Sequence, residues 1–166
     1  MKGALNALRT AVAEQLQAAG VNAVTAMEHE RAFRWRAAVA AVSLMKVVCT
    51  PGGFQDYLGV RREPESGAER ELYGREAELT LALDVYAPRD GGESACREAA
   101  EAMTECLVCR GAAGLGVLEL QTGQVEFLEQ EGLYRLPVSC RCRAWLVAAV
   151  DGGGAFVDFE VKGRLK

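Results

Sequence analysis

EAELTLALDV, residues 76–85, is the stretch that decides the fold, because its apolar and polar side chains alternate. From Ala77 to Val85 every odd position is apolar, whereas most even positions are polar or charged. A two-residue period is typical of a β-strand that turns one face to a core and the other to water. The stretch therefore predicts a strand at the centre of a sheet with one dry face.

A helix is predicted directly after this strand. Pro88 ends the strand because it has no backbone N–H, and residues 90–92 (Asp-Gly-Gly) predict a turn. Ser94 is expected to cap the helix with its hydroxyl. The apolar side of this helix comprises Cys96, Ala99, Ala100, Met103 and Leu107. An amphipathic helix in this position is expected to cover the dry face of the sheet.

The rest of the chain predicts a second covering helix and more strands. Apolar residues at helical spacing predict a helix over residues 2–19, ended by Gly20. Strands are expected over residues 21–27, 37–50, 117–121, 124–129, 134–150 and 156–162. Of these, 37–50 also fits a buried helix, because it is rich in alanine, and 124–129 also fits a turn. Residues 28–36 predict a loop, and residues 151–154 predict a turn.

Residues 54–71 have the strongest loop signature in the chain. Charged side chains surround Pro64, Ser66 and Gly67, so the segment has little apolar surface to bury. We expect it to project from the body as a long loop or a loose hairpin. With this projection, counted as residues 54–74, the whole chain 1–166 is expected to form a single domain.

Composition and charge fit a globular protein of the cytosol. The 166 residues carry a net charge of −4, with basic residues interleaved among acidic ones, which argues against a nucleic-acid-binding face. No apolar run is long enough for a transmembrane helix. The first residues also lack the continuous apolar block of a signal peptide, so a cytosolic protein is expected.

The six cysteines leave two interpretations open. Cys106, Cys109, Cys140 and Cys142 would supply four thiolates to zinc, but their spacing is poor for a zinc knuckle. Cys140 and Cys142 share the dry face of a predicted strand, and Cys96 the dry face of the helix, which favours core thiols. A redox CxxC is disfavoured, because Cys106 and Cys109 close a helix instead of opening one. We therefore expect no metal and no cofactor.

Other catalytic patterns are weaker. His29 is the only histidine, so a Cys–His nucleophile pair would have to use it, with Cys49 the nearest partner in sequence. Residues 111–116 contain three glycines but lack the Lys-Ser or Lys-Thr of a phosphate loop. Carboxylates on the wet face of the central strand, Glu76, Glu78 and Asp84, fit a solvated or interface face better than an acid–base pair. No enzyme activity is expected.

The wet side of the sheet is not uniformly polar. Tyr86, Trp145 and Val147 fall on it, and residues 37–50 are apolar on both sides of a strand. If both helices cover the other face, a partner subunit is the simplest cover for this one.

The order of these elements resembles the tail terminator proteins of long-tailed bacteriophages and prophages. The resemblance is carried by Tyr-Leu-Gly at 57–59, by Leu-Tyr-Gly-Arg at 72–75, by the strand ending Asp-Val-Tyr-Ala-Pro at 84–88 and by the helix after it. It covers roughly residues 37–150. The cysteine content departs from it.

The resemblance implies an α+β subunit with a mixed, mostly antiparallel sheet, two helices on one face and no catalysis. It implies a homo-oligomeric ring, usually a hexamer, that caps the tail tube, ends its polymerisation and joins the head-side connector. Its partners would be other copies of itself, tail-tube protein and connector, with no membrane and no nucleic-acid sequence recognition. It would assemble in the bacterial cytoplasm and remain in the virion tail. The projecting segment is then expected to make contacts through Tyr57, Arg61, Arg62, Glu69, Arg70 and Tyr73. Another head–tail joining protein is the alternative within this class, and a small metal-binding or thiol protein is the alternative outside it.

Overall fold

The computed structural model describes residues 3–25, 35–51, 56–150 and 156–164. Its helices are α1 (Ala4–Ala18) and α2 (Gly92–Arg110), and a 3-10 turn (Arg89–Gly91) precedes α2. Its strands are β1 (Ala23–Val24), β2 (Val39–Pro51), β3 (Tyr57–Arg62), β4 (Glu69–Pro88), β5 (Gly116–Thr122), β6 (Glu126–Leu128), β7 (Leu133–Leu136), β8 (Val138–Val150) and β9 (Phe156–Lys162). All of these strands belong to one sheet.

Strand β4 is the axis of the sheet. β2 and β3 follow one another along one of its sides, and β8 and β7 follow one another along the other. Outside this pair, β9 and β5 lie along β8, and β6 lies along β7. Among the described strands only the short β1–β2 pair is parallel, so the sheet is mixed and mostly antiparallel, as expected.

Both helices pack on the face formed by the odd-numbered residues of β4. Leu79, Leu81 and Leu83 have no exposed surface there, and Val12 and Leu16 of α1 are equally buried. From α2, the buried residues are Cys96, Ala100, Met103, Cys106 and Leu107. The predicted strand and the predicted apolar side of the helix are confirmed, except that Ala99 is only half-buried and Cys106 joins the core.

Within the charged segment 54–71, the described residues 56–71 form a hairpin, the second of its two predicted forms. β3 pairs antiparallel with the first residues of β4, and the Glu63 N–H donates to the Ala68 carbonyl at 2.9 Å across the turn. The central strand therefore begins at Glu69, earlier than the alternation alone indicates. At Gly74 the hairpin joins the body, and an added Cβ would lie 2.4 Å from the Leu146 carbonyl oxygen, which only glycine permits.

The strand predicted over residues 134–150 is divided in two. Pro137 lies between β7 and β8, because proline has no N–H to donate to the ladder. The alternation continues through the break, since Leu136 and Val138 are both buried, and so the sequence pattern hides it. The predicted strands around Thr122 and Gly123 exist as β5 and β6, but they pair with β8 and β7 and not with each other.

Four further expectations need correction or lie partly or wholly outside the described residues. Gly91, not Ser94, is the N-cap of α2, and the Ser94 hydroxyl donates to the Gly91 carbonyl at 3.3 Å. Of the strand predicted over 21–27, the structure contains Ala23–Val24. Residues 26–34, with His29, and the turn at 151–154 fall outside the described ranges. In the part of the chain that the structure describes, no helix is long and apolar enough to span a bilayer.

Candidate interaction surfaces

The six residues predicted as contacts all lie on the β3–β4 hairpin. Three cross-strand pairs contain them: Tyr57 opposite Tyr73, Arg61 opposite Arg70, and Arg62 opposite Glu69. Directly opposite residues share a face, so the hairpin groups aromatic rings near its base and charges near its tip. The hairpin surface therefore has two sides, because the alternation along β4 places Glu69 and Tyr73 on one side and Arg70 on the other.

Two tyrosines form the aromatic part of this surface. The rings of Tyr57 and Tyr73 meet edge to face, with centroids 5.5 Å apart, and Tyr57 is 43% exposed. The Tyr73 hydroxyl donates to the Glu71 carboxylate at 2.9 Å, and this bond raises the pKa of Tyr73 because it favours the neutral phenol. Tyrosine rings that are partly exposed and pack against each other are enriched in protein interfaces.

The charges of the hairpin are partly balanced within it. Arg61 faces Arg70 across the ladder, which is unfavourable for two like charges. Arg70 offsets this through an ion pair with Glu63 at 3.0 Å. At the base, Arg75 binds Asp56 at 2.7 Å and fastens β4 to the start of β3. The tip is therefore a braced hairpin rather than a loose loop.

A second surface is the face of the sheet opposite the helices, which we call the open face. It consists of the even-numbered residues of β4 from Glu76 to Tyr86 and the residues beside them in the neighbouring strands. Val147 is buried on this side, and Trp35 packs beside Tyr86 with ring centroids 6.4 Å apart. Burial raises the pKa of Tyr86.

The carboxylates of the open face are bound by arginines. Glu76 pairs with Arg143 at 2.9 Å and Glu78 with Arg141 at 3.0 Å, while Arg141 also reaches Glu119 of β5 at 2.7 Å. Hydrogen bonds to these two carboxylates raise the pKa of Arg141. The charges thus alternate in sign from β4 to β8 to β5. The carboxylates form ion pairs between neighbouring strands, and we call this set of ion pairs the cross-strand lattice.

Asp84 holds the break between β7 and β8 together. Its carboxylate accepts two bonds from Arg135, at 2.6 and 3.0 Å, and lies 3.4 Å from the Val138 backbone nitrogen as a weaker acceptor. The bond to Asp84 raises the pKa of Arg135. An open groove of about 460 Å³ lies above this pair, between the Met45 side chain and Pro137. Asp84 therefore binds both β7 and β8 next to Pro137, where the ladder of backbone hydrogen bonds is interrupted.

Four of the six cysteines are buried in the core and two are exposed. Cys140 and Cys142 are buried side by side, with their sulfurs 3.6 Å apart. The hydrogen bond with Cys140, together with burial, raises the pKa of Cys142, and burial raises that of Cys96, so both are thiols at neutral pH. Cys49 and Cys109 are exposed. Among the described residues no three His, Cys, Asp or Glu side chains are grouped as they would be around a metal ion.

The exposed apolar side chains mark a third feature, the two lateral edges of the sheet. Large hydrophobic residues are exposed at seven described positions: Met45, Val48, Tyr57, Val60, Val108, Leu118 and Phe127. All but Val108 of α2 lie on strands at the margin of the sheet. We call the outer side of residues 42–51 and 57–62 the β2–β3 edge, and that of residues 116–122 and 126–128 the β5–β6 edge. The edges lie on opposite sides of the sheet, because β4 and β8 lie between β2 and β5, and β4 and β7 lie between β2 and β6.

Sequence reasoning identified part of these edges. Tyr57 is among the predicted contacts, and the sequence shows that the run around Met45 and Val48 is apolar on both sides of a strand. Leu118 was missed, because it occupies the irregular step of the β5–β8 register between Val117 and Glu119. Phe127 was missed because its exposure depends on β6 being marginal, which only the pairing of distant strands determines.

Comparisons with known proteins give structural similarity at a low level. No protein-family model matches the chain, and no curated protein sequence matches it. A solved chain from a particle described as the virion of a native gene transfer agent has a TM-score of 0.40 and 16% identity, over 84% of this chain and 96% of that chain. Such similarity is too low to indicate function.

Proposed function

We propose that this protein is a virion structural subunit that forms a ring on the end of a bacteriophage tail tube and stops its growth. It would act as a tail terminator, assembling in the host cytoplasm and joining the tube to the head-side connector. The proposal takes its starting point from the sequence resemblance. It is supported by the α+β layout, with both helices on one face of the sheet and a hairpin of charged and aromatic residues at one end.

The observation that carries the proposal is the position of the exposed apolar side chains. A ring needs a heterologous interface, in which one patch of each subunit meets a different patch of the next. Six of the seven large hydrophobic residues that the described part of the chain exposes lie on two opposite edges of one sheet, with β4 and then β8 or β7 between them. Two unlike apolar edges on opposite sides of a subunit are what such an interface requires.

The hairpin would provide contacts beyond the body of the subunit. Tyr57 and Val60 are exposed along β3, next to the Tyr73 ring, and the charged tip extends further. Aromatic anchors surrounded by charges are typical of interfaces that exclude water at their centre. We assign the hairpin to contact with a neighbouring subunit or with the tube, through Tyr57, Arg61, Arg62, Glu69, Arg70 and Tyr73.

The direct test is a tube-capping assay. Tail-tube protein from the same genome is polymerised with and without this protein, and tube lengths and end-bound label are measured by negative-stain electron microscopy. Capping predicts shorter tubes with label at their ends. Tyr57→Ser should weaken end binding at least tenfold, whereas Val108→Ser, a matched change on the exposed side of α2, should not.

Two results would count against a terminator. A persistent monomer with no affinity for tube ends would remove the proposal. A ring that binds the head-side connector but leaves tube length unchanged would identify another head–tail joining protein instead.

A further inference from the structure

We propose that neighbouring copies join by strand pairing, with β2 of one copy beside β5 of the next, so that their sheets merge into one antiparallel sheet. This inference rests on the proposed ring and specifies its contact. The partner is a second copy of this chain, and the contact is a backbone ladder between two edges as well as side-chain packing.

Within the described ranges, both edges have backbone groups that no other strand pairs. Among the described residues, β1 covers β2 only at Ala40 and Ala41, and no strand lies beyond residues 42–51. On the opposite side, β5 pairs only with β8, so its outer N–H and C=O groups have no strand partner in the described ranges. Unpaired strand edges are templates for pairing with another chain.

Strand directions make the junction antiparallel without further adjustment. β2, β4, β8 and β5 form a row in which each neighbouring pair is antiparallel. With four strands in the row, the first and last run in opposite directions. Copies related by rotation about an axis roughly along the strands keep these directions, so β5 of one copy meets β2 of the next antiparallel.

Charge at the two edges is complementary. Through the registers with Thr80 and Arg141, Lys46 of β2 and Glu119 of β5 lie at the same level on the open face. Glu119 is bound by Arg141 inside the copy, whereas Lys46 is exposed and no described carboxylate lies within ion-pair distance of it. Joining the edges would place Lys46 next to Glu119 and continue the alternation of sign already seen from β4 to β8 to β5.

The two strands proposed to pair, β2 and β5, each have one irregularity with an apolar residue. The β2–β4 register shifts at Met45, which is 66% exposed, and the β5–β8 register shifts at Leu118, which is 41% exposed. Irregularities of this kind hinder indiscriminate pairing of edge strands. An edge strand with such an irregularity disfavours pairing with most other strands. Because it also exposes a large apolar side chain, it is suited to one specific partner strand.

Cysteine cross-linking tests the junction. In a background with the exposed native thiols replaced (Cys49→Ser, Cys109→Ser), Gln121→Cys is combined in turn with Ser43→Cys, Val48→Cys or Thr50→Cys. These three positions share the open face of β2 and sample the stagger that ring closure requires. Within one copy, three strand spacings of about 14 Å separate β2 from β5, too far for a disulfide.

Edge pairing predicts covalent multimers, extending to closed rings, on mild oxidation of at least one double variant. Each single variant should stay at least tenfold less cross-linked. Val108→Cys with Gln121→Cys is the matched control, and it should remain uncross-linked. Particle masses are measured in parallel by mass photometry.

The outcomes separate this inference from the proposed function. A ring by mass photometry without cross-links in any double variant would overturn edge pairing and leave the ring intact. Dimers from Ser43→Cys alone would overturn it as well, because they indicate β2 pairing with β2 of another copy. Cross-linked multimers that cap no tube would support edge pairing while the terminator function failed.

Discussion

The two faces of β4 belong to one strand but differ in burial and in charge. On the odd side, Leu79, Leu81 and Leu83 are fully buried under the helices, whereas on the even side Glu76 and Glu78 are held by arginines in a lattice open to water. Burial of apolar surface is the main source of stability, and partly exposed ion pairs add little. The comparison therefore assigns the stability of the fold to one face and leaves the other face and the sheet edges available for contacts.

The largest expected effect comes from the covered face. Leu81→Ala should lower the free energy of unfolding by about 2–5 kcal/mol, because it leaves a cavity beneath α2. Thr80→Ala, on the next residue and the open face, should cost less than about 1 kcal/mol. Urea unfolding followed by circular dichroism measures both. Equal losses at the two positions would contradict the assignment of stability to one face.

A smaller loss of stability is expected at Asp84, which binds both β7 and β8. Asp84→Ala should cost about 1–2 kcal/mol, because it removes the acceptor for Arg135 and for the Val138 N–H beside Pro137. Glu76→Ala is the control, since its ion pair with Arg143 is more exposed. If the two variants unfold at the same urea concentration, Asp84 does not hold the break together.

The smallest effect is expected from the lattice itself. Glu78→Gln removes one of the two carboxylates bound by Arg141, and Glu119 still holds the guanidinium. The thermal unfolding midpoint should fall slightly in low salt and match the unaltered protein in about 1 M NaCl, where screening is strong. A loss that persists in high salt would show that this pair is more than a surface contact.

The sequence predicts the interior of this fold better than its margins. Local alternation was enough to predict the strand through Ala77 and Val85, and helical spacing was enough for both helices. The break at Pro137 could not be predicted, because the alternation of apolar and polar residues continues across it. The N-cap of α2 was predicted at Ser94 but lies at Gly91. The exposure of Leu118 and Phe127 depends on which distant strands pair, and no local pattern contains that information.

The candidate surfaces divide in the same way. The hairpin residues, such as Tyr57 and Arg61, were found because charge and aromatic content are properties of the local sequence. The partnership of Met45 with Leu118 as the exposed apolar residues of opposite edges was not found, because it depends on four strands lying side by side in one order. A surface that several strands form together can be identified only when the order of the strands in the sheet is known.

The central claim is that the two sheet edges are the ring contacts, and one measurement tests it most directly. Mass photometry compares the unaltered protein with Leu118→Arg on β5 and with Val108→Arg on α2, two exposed apolar positions given the same charge. The account predicts a ring for the unaltered protein and for Val108→Arg, but a monomer with an unchanged unfolding midpoint for Leu118→Arg. A ring that survives Leu118→Arg and dissociates with Val108→Arg would contradict it.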